Sequence, residues 1–343
     1  MYNTSILRHA QMKEVVHPMK KLLAMVLACA LFLGLIPAMA EEVPSVAIVV
    51  AGTLGDRGFY DSSNAGRQAL EADFGVRTTV VECKEDGSLY ESSLINAAEE
   101  YDVVVPVGWQ FWDYLEGVVA DYPETKFIFI DNGLDGVGDN LMSIIYKQNE
   151  GSFLVGYIAA KMTKTGKIGV VGGEDAATIN DFIVGYEAGA AYANPEVTVM
   201  KKYTDTYEDP ARGKDAALSL YGSGCDIVFA VAGKTGEGVF EAAAETNNYA
   251  IGVDSDQKFI NPDVILCSMI KRVDKSIYDV VADMEGKFQP GQIWSADMAT
   301  GYVDVGYGTD EMPQQISDDL KAEVEDLKQK IIAGEIIVPT ALN

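Results

Sequence analysis

Beyond residue 40 this 343-residue chain has no histidine: His9 and His17 are its only two. Their absence from the body of the chain removes Ser-His-Asp and Cys-His catalysis, histidine-ligated zinc, and imidazole acid–base chemistry near neutral pH. Cysteine is nearly as scarce. Past Cys29 there are Cys83, Cys225 and Cys267, each in or beside an apolar run. An odd number at wide spacing argues against a disulfide framework or a metal cluster, so buried free thiols are expected, with no metal and no cofactor. Basic residues are also few, 26 against 52 acidic. Four of the basic residues and one acidic residue precede position 41, so the remainder carries 22 against 51, a formal charge of −29. Clustered Lys and Arg drive binding to nucleic acid and anionic lipid, so neither is an expected partner. Acidity of this kind confers solubility and says nothing about the sign of a ligand.

A long apolar run comes early. From Met19 the chain reads Met-Lys-Lys, then apolar residues from Leu22 to Ala40, ending in Ala38-Met-Ala40 before Glu41-Glu42. A short basic region, an apolar stretch and a small-x-small end predict a secretory signal peptide, residues 1–40, cleaved after Ala40. Residues 1–18 read as an upstream extension. The run is long enough to span a bilayer, so a retained anchor is the first alternative. The second is lipid attachment at Cys29, because Val26-Leu-Ala-Cys29 has the form of a lipobox. Either way the chain is exported, to the periplasm or the outer face of the cytoplasmic membrane.

The remaining 300 or so residues exceed a comfortable single core, so two domains are expected. Short Val- and Ile-rich runs, bounded by Gly, Asp or Asn, alternate with amphipathic helical stretches from Val46 to Tyr146. The pattern then restarts and runs to Val253. Near-continuous apolar strands separated by helices predict parallel sheets covered on both faces. The expected fold is α/β: two doubly wound parallel-sheet lobes with a ligand cleft between them. The sequence pattern divides them as 43–148 plus 255–292 and 149–254 plus 293–343. Ligands in such sheets sit beyond the carboxyl ends of the strands, where two lobes can share a cleft.

The loops at those ends carry the candidate site. After the first strand comes Gly52-Thr-Leu-Gly-Asp56-Arg-Gly-Phe59-Tyr60-Asp61. Phe59 offers a flat face for a ring, with core packing as its alternative; Asp56 is a polar candidate, with helix capping as its alternative. After the third strand, Gly108-Trp109-Gln-Phe-Trp-Asp113-Tyr114 places four aromatics in six residues, more than one helix face needs for packing. Gly233-Lys-Thr-Gly236 has part of a phosphate-binding loop, but Val228 stands where the first glycine of that motif belongs. Gly233 is therefore read as a turn lining the cleft. Asp254 and Asp256 follow a strand; a carboxylate here can accept two hydrogen bonds from a sugar diol, with Lys271 as a donor beside it.

Six segments in one order resemble the basic membrane protein family of bacterial solute receptors, which includes purine nucleoside receptors. They are Gly55-Asp-Arg-Gly-Phe59, Thr163-Lys-Thr-Gly-Lys-Ile-Gly-Val-Val-Gly-Gly173, Asp209-Pro-Ala-Arg-Gly-Lys214, Ala232-Gly-Lys-Thr-Gly-Glu-Gly238, Ile251-Gly-Val-Asp-Ser-Asp-Gln257 and Ser268-Met-Ile-Lys-Arg272. The resemblance spans residues 45–310. It implies a type I periplasmic binding protein that delivers a nucleoside-like small molecule to a membrane ABC permease. It further implies that Phe59 stacks on the base, Asp113 helps read it, and Asp254 and Lys271 hold the ribose. The family usually has Asn where this chain has Tyr60, and a smaller residue where it has Trp109. Those departures leave the base open, so a nucleoside-like ring with a diol is the expectation, a purine nucleoside foremost.

A receptor for another small ligand, such as a sugar or an autoinducer-like molecule, is the first alternative. A secreted nucleosidase or hydrolase acting through Asp56, Asp113 or Asp254 is the second. A transcriptional regulator with the same core would need a DNA-binding helix pair where this chain has its apolar leader. The expectation is a monomeric receptor that is not an enzyme.

Overall fold

The computed structural model describes residues 43–342. The expected leader, its cleavage point and Cys29 lie outside the described residues. Among the described residues, no helix is long and apolar enough to cross a membrane.

Two six-stranded sheets organise the chain. The first contains β1 (Val46–Val50), β2 (Thr78–Glu82), β3 (Val103–Val107), β4 (Lys126–Ile130), β5 (Leu141–Tyr146) and β11 (Ile293–Ala296) in the order β11-β5-β4-β3-β1-β2. All its pairings are parallel. The second contains β6 (Lys167–Gly172), β7 (Thr198–Tyr203), β8 (Ile227–Val231), β9 (Tyr249–Asp254), β10 (Ile265–Lys271) and β12 (Val303–Gly306) in the order β12-β10-β9-β8-β6-β7. Only its edge strand β12 runs antiparallel to its neighbour. Every residue of β1, β3 and β8 is buried, which is why these strands read as unbroken apolar runs rather than as alternations. Edge strand β7 is half-buried to exposed and carries Lys201 and Lys202. Pro106 has no N–H to donate, and the β3–β4 register passes from Val104 to Val107 around it.

The helices α1 (Phe59–Phe74), α2 (Tyr90–Glu100) and α3 (Trp112–Asp121) belong to the first sheet, following β1, β2 and β3. In the second lobe lie α4 (Gln148–Met162), α5 (Ala177–Ala193), α6 (Pro210–Gly222) and α7 (Glu237–Thr246). The pair α4–α5 packs backbone to backbone: a Cβ on Gly189 would lie 1.8 Å from the Phe153 carbonyl oxygen. This close approach explains why α4 is buried nearly all round and shows little amphipathic pattern. After β10 come α8 (Val273–Ala282) and the short α9 (Met284–Lys287), and after β12 comes α10 (Asp318–Ile332).

The lobe boundaries differ from those expected at the third and fourth segments. β10 falls within 255–292 yet pairs with β9 in the second sheet, while β11 falls within 293–343 yet pairs with β5 in the first. The helix α8 does lie against the first lobe: Asp274 N donates to Ser62 Oγ at 3.1 Å and Tyr278 Oη to Asp73 at 2.8 Å. The chain therefore crosses between lobes three times, near Lys147, near Arg272 and between Asp297 and Tyr302. At these crossings Lys147 Nζ reaches Asp297 at 3.3 Å, and Arg272 N donates to the Tyr302 carbonyl at 2.8 Å.

Candidate ligand-binding cleft

The carboxyl ends of both sheets face a cavity that is partly open to solvent. Of the expected site residues, Asp56, Phe59, Tyr60, Trp109, Gly233, Asp254 and Lys271 all line it. Asp113 does not.

Asp56 is buried at the wall of the cavity and fully occupied. Its carboxylate accepts from the backbone N–H groups of Gly58 at 3.1 Å, Tyr60 at 2.9 Å and Asp61 at 3.0 Å. It thus fastens the loop after β1 to the start of α1, the capping alternative. Burial pushes its carboxyl up to about 6, although the three amides pull the other way. That fastening sets Phe59 and Tyr60 as the first two residues of α1, with ring centroids 5.4 Å apart. Gly233 adopts a left-handed φ of 53° and begins a short 3-10 turn, consistent with a cleft-lining bend.

The charged centre is Lys271, 1% exposed at the end of β10. It forms an ion pair with Asp131, the residue after β4. Its Nζ lies 4.9 Å from the Phe59 ring centroid and 5.1 Å from that of Phe182, aromatics contributed by opposite lobes. Asp254, at the end of β9, is 7% exposed, and its Oδ1 is buried without a hydrogen-bond partner. Burial pushes its carboxyl up to about 7; Lys271 opposes that shift, while Asp131 and Asp56 add to it. Asp131 is likewise raised by burial against the pull of Lys271. Both acids have left-handed backbones, with φ 77° at Asp131 and 64° at Asp254. Such strain, of order 1–3 kcal/mol per residue, persists where the surrounding structure imposes it, commonly at ligand sites.

Asp113 sits exposed in the first turn of α3. The 3-10 turn Trp109–Phe111 buries Phe111 against Tyr90, and the helix that starts at Trp112 carries the next side chains outward. The aromatic cluster is therefore divided: Trp109 lines the cavity, Phe111 is core, and Trp112 is 47% exposed. Motif and pattern in the sequence also miss Asp131, Gln110, Phe182 and Tyr207. Asp131 is within their reach, since it directly follows a strand that the apolar pattern delimits. Tyr207 and Phe182 carry no such signal, because a loop and a helix face bring them in from the second lobe.

Over the mouth the lobes interlock through two carboxylates. Glu208 of the second lobe accepts from Thr53 N at 2.7 Å and Thr53 Oγ1 at 2.6 Å. Glu85 of the first lobe accepts from Tyr207 N at 2.8 Å and Thr206 Oγ1 at 3.0 Å. Gln257 Nε2 also donates to the Arg57 carbonyl at 3.2 Å. This is a closed two-lobed arrangement around Lys271, Asp131 and Asp254.

Comparison with known proteins agrees with that geometry. Residues 43–341 match the family described as ABC transporter substrate-binding protein PnrA-like. The chain belongs to this family. Among its relatives, basic membrane protein A of Borreliella burgdorferi is 32% identical over 308 residues, covering 88% of this chain and 89% of the relative. A CD4+ T-cell-stimulating antigen of Listeria innocua is 33% identical, with 92% and 97% covered. A solute-binding protein of an ABC transporter system from Aeropyrum pernix superposes with a TM-score of 0.76 at 30% identity, covering 86% of this chain and 93% of that one. As a PnrA-like substrate-binding protein, the chain has the type I periplasmic binding fold, takes a small molecule outside the cytoplasm, and works with a membrane permease. Among the described residues, no group of three or more His, Cys, Asp or Glu side chains is placed to hold a metal ion.

Proposed function

We propose that this substrate-binding protein captures a nucleoside, a purine nucleoside foremost, and releases it unchanged to its permease. The observation that carries this reading is the unpartnered Asp254 carboxylate oxygen, set near Lys271 in a cavity with aromatic rings from both lobes. A buried carboxylate oxygen without a donor calls for one from the ligand. A ribose diol supplies two hydroxyl donors to Asp254, and its oxygens can accept from Lys271. The flat faces of Phe59 and Phe182 suit a planar base, and aromatic contacts of this kind add to the area they bury.

The test is thermal unfolding of refolded, ligand-free protein with a panel of nucleosides, free ribose, other sugars and amino acids. A ligand at about 100 times its Kd stabilises the folded state by about 2.7 kcal/mol. The expected outcome is a clear rise in Tm with purine nucleosides and a smaller rise with ribose alone. A rise with amino acids alone contradicts the reading.

A further inference from the structure

Three polar atoms in the cavity remain unassigned once the ribose is given to Asp254 and Lys271. Trp109 Nε1, Gln110 Oε1 and the Tyr207 hydroxyl are buried, and none meets full hydrogen-bond geometry with a protein partner, although the Trp109 indole N–H faces the Tyr207 hydroxyl closely enough to favour its ionised form against the larger effect of burial. All three side chains line the same cavity. Unpartnered polar atoms are uncommon in folded proteins, and three together imply a ligand that completes them. Their placement is built in. Gly108 has φ 120°, and a Cβ there would lie 2.5 Å from Gln110 Oε1, so the carboxamide folds back over a position that only glycine leaves open. A Cβ on Gly173 would lie 2.1 Å from Tyr207 Cε1, so that glycine makes room for the ring. Trp109 and Gln110 come from the first lobe and Tyr207 from the second, so the three meet when the lobes close.

We propose that Trp109, Gln110 and Tyr207 form the face that reads the base edge, selecting a heterocycle that presents a hydrogen-bond donor beside an acceptor; this rests on the nucleoside reading above. An indole N–H only donates, a carboxamide oxygen only accepts, and a phenol does either. That pattern is complementary to the lactam edge of a 6-oxopurine or the amidine edge of adenine. It is not complementary to an edge whose N–H has been replaced by N-methyl. Asp113, exposed on α3, leaves this role to Gln110, two residues after Gly108.

The experiment is calorimetric titration of refolded protein with inosine, guanosine and adenosine, and with the analogue of whichever binds tightest in which the edge N–H is methylated: N1-methylinosine, N1-methylguanosine or N6,N6-dimethyladenosine. It is run on the native chain, on Gln110→Leu and on Trp109→Phe, with circular dichroism melts to verify folding. Native protein is expected to bind the methylated ligand at least about 10-fold more weakly. Each variant is expected to lose about 10-fold or more for the unmodified ligand, and much of the discrimination against methylation. Trp109→Phe keeps an aromatic ring and removes the donor, so it carries the test should Gln110→Leu fail to fold. Native binding of nucleosides, with both variants unchanged in affinity and discrimination, overturns this inference and leaves the nucleoside reading intact. Native protein that binds no nucleoside overturns both.

Discussion

Residue by residue, the site arranges acids around a single buried lysine. Asp131 is paired with Lys271, Asp56 is held by three backbone amides, and Asp254 keeps an unpartnered oxygen. A carboxyl whose folded-state value is raised from 3.8 to about 7 favours the folded protein while it keeps its proton. That contribution is present below the unfolded value and is lost as pH rises through about 7. The ligand-free protein should therefore lose stability across this window, and Asp254→Asn should flatten part of the loss and melt higher than the native chain at pH 8. Tm measured against pH for the two proteins tests this; parallel curves count against it. Ligand hydroxyls donating to Asp254 favour its ionised form, so nucleoside affinity should rise with pH over the same range.

Residue types and motifs alone make Phe59, Asp254 and Lys271 legible as residues that line the cavity. Asp113 misleads because helix phase, not distance along the chain, decides whether a residue near a strand end faces the cleft. The 3-10 turn at 109–111 precedes α3 and sets that phase. No periodicity in the sequence announces such a turn. The position of Asp131 at a strand end is readable, but its ion pair is not, because that depends on Lys271, 140 positions away, and on two lobes meeting.

Among the elements, most of the strands are readable, because parallel strands buried on both faces become uninterrupted runs of Val and Ile. Lobe membership is less so. Nothing in the residues of β10 or β11 names their sheets, and only their spatial partners, β9 and β5, assign them. The α4–α5 contact shows the same limit, since Gly156, Gly185 and Gly189 look like interruptions in sequence yet permit close helix packing. Gly189→Ala should destabilise the fold by about 3 kcal/mol or more, because the added methyl meets the rigid Phe153 backbone. Urea denaturation measures this; a loss below about 1 kcal/mol would show that the helices separate easily.

For the molecule as a whole, the three crossings permit hinge motion and the two glutamates hold the cleft shut. Lys84 and Glu85 both have φ 57°, so the loop presenting Glu85 holds two consecutive left-handed non-glycine residues. Glu208 docks against Gly52, where a Cβ would lie 2.6 Å from its Oε1. Neither glutamate lines the ligand cavity. Glu208→Ala should therefore act through closure alone: a larger radius of gyration in small-angle scattering and faster ligand release in stopped-flow, with the order of preference among nucleosides preserved. Equal radii and equal release rates would mean that the interlock contributes nothing to closure.

If a nucleoside completes the unpartnered polar atoms of this cavity, calorimetric titration of refolded protein with the nucleoside panel should reveal it. The expected result is saturable binding of a purine nucleoside, one per chain, weakened at least about 10-fold by Asp254→Ala. Absence of binding by every nucleoside, alongside saturable binding of an amino acid, would show that the cavity serves a different ligand.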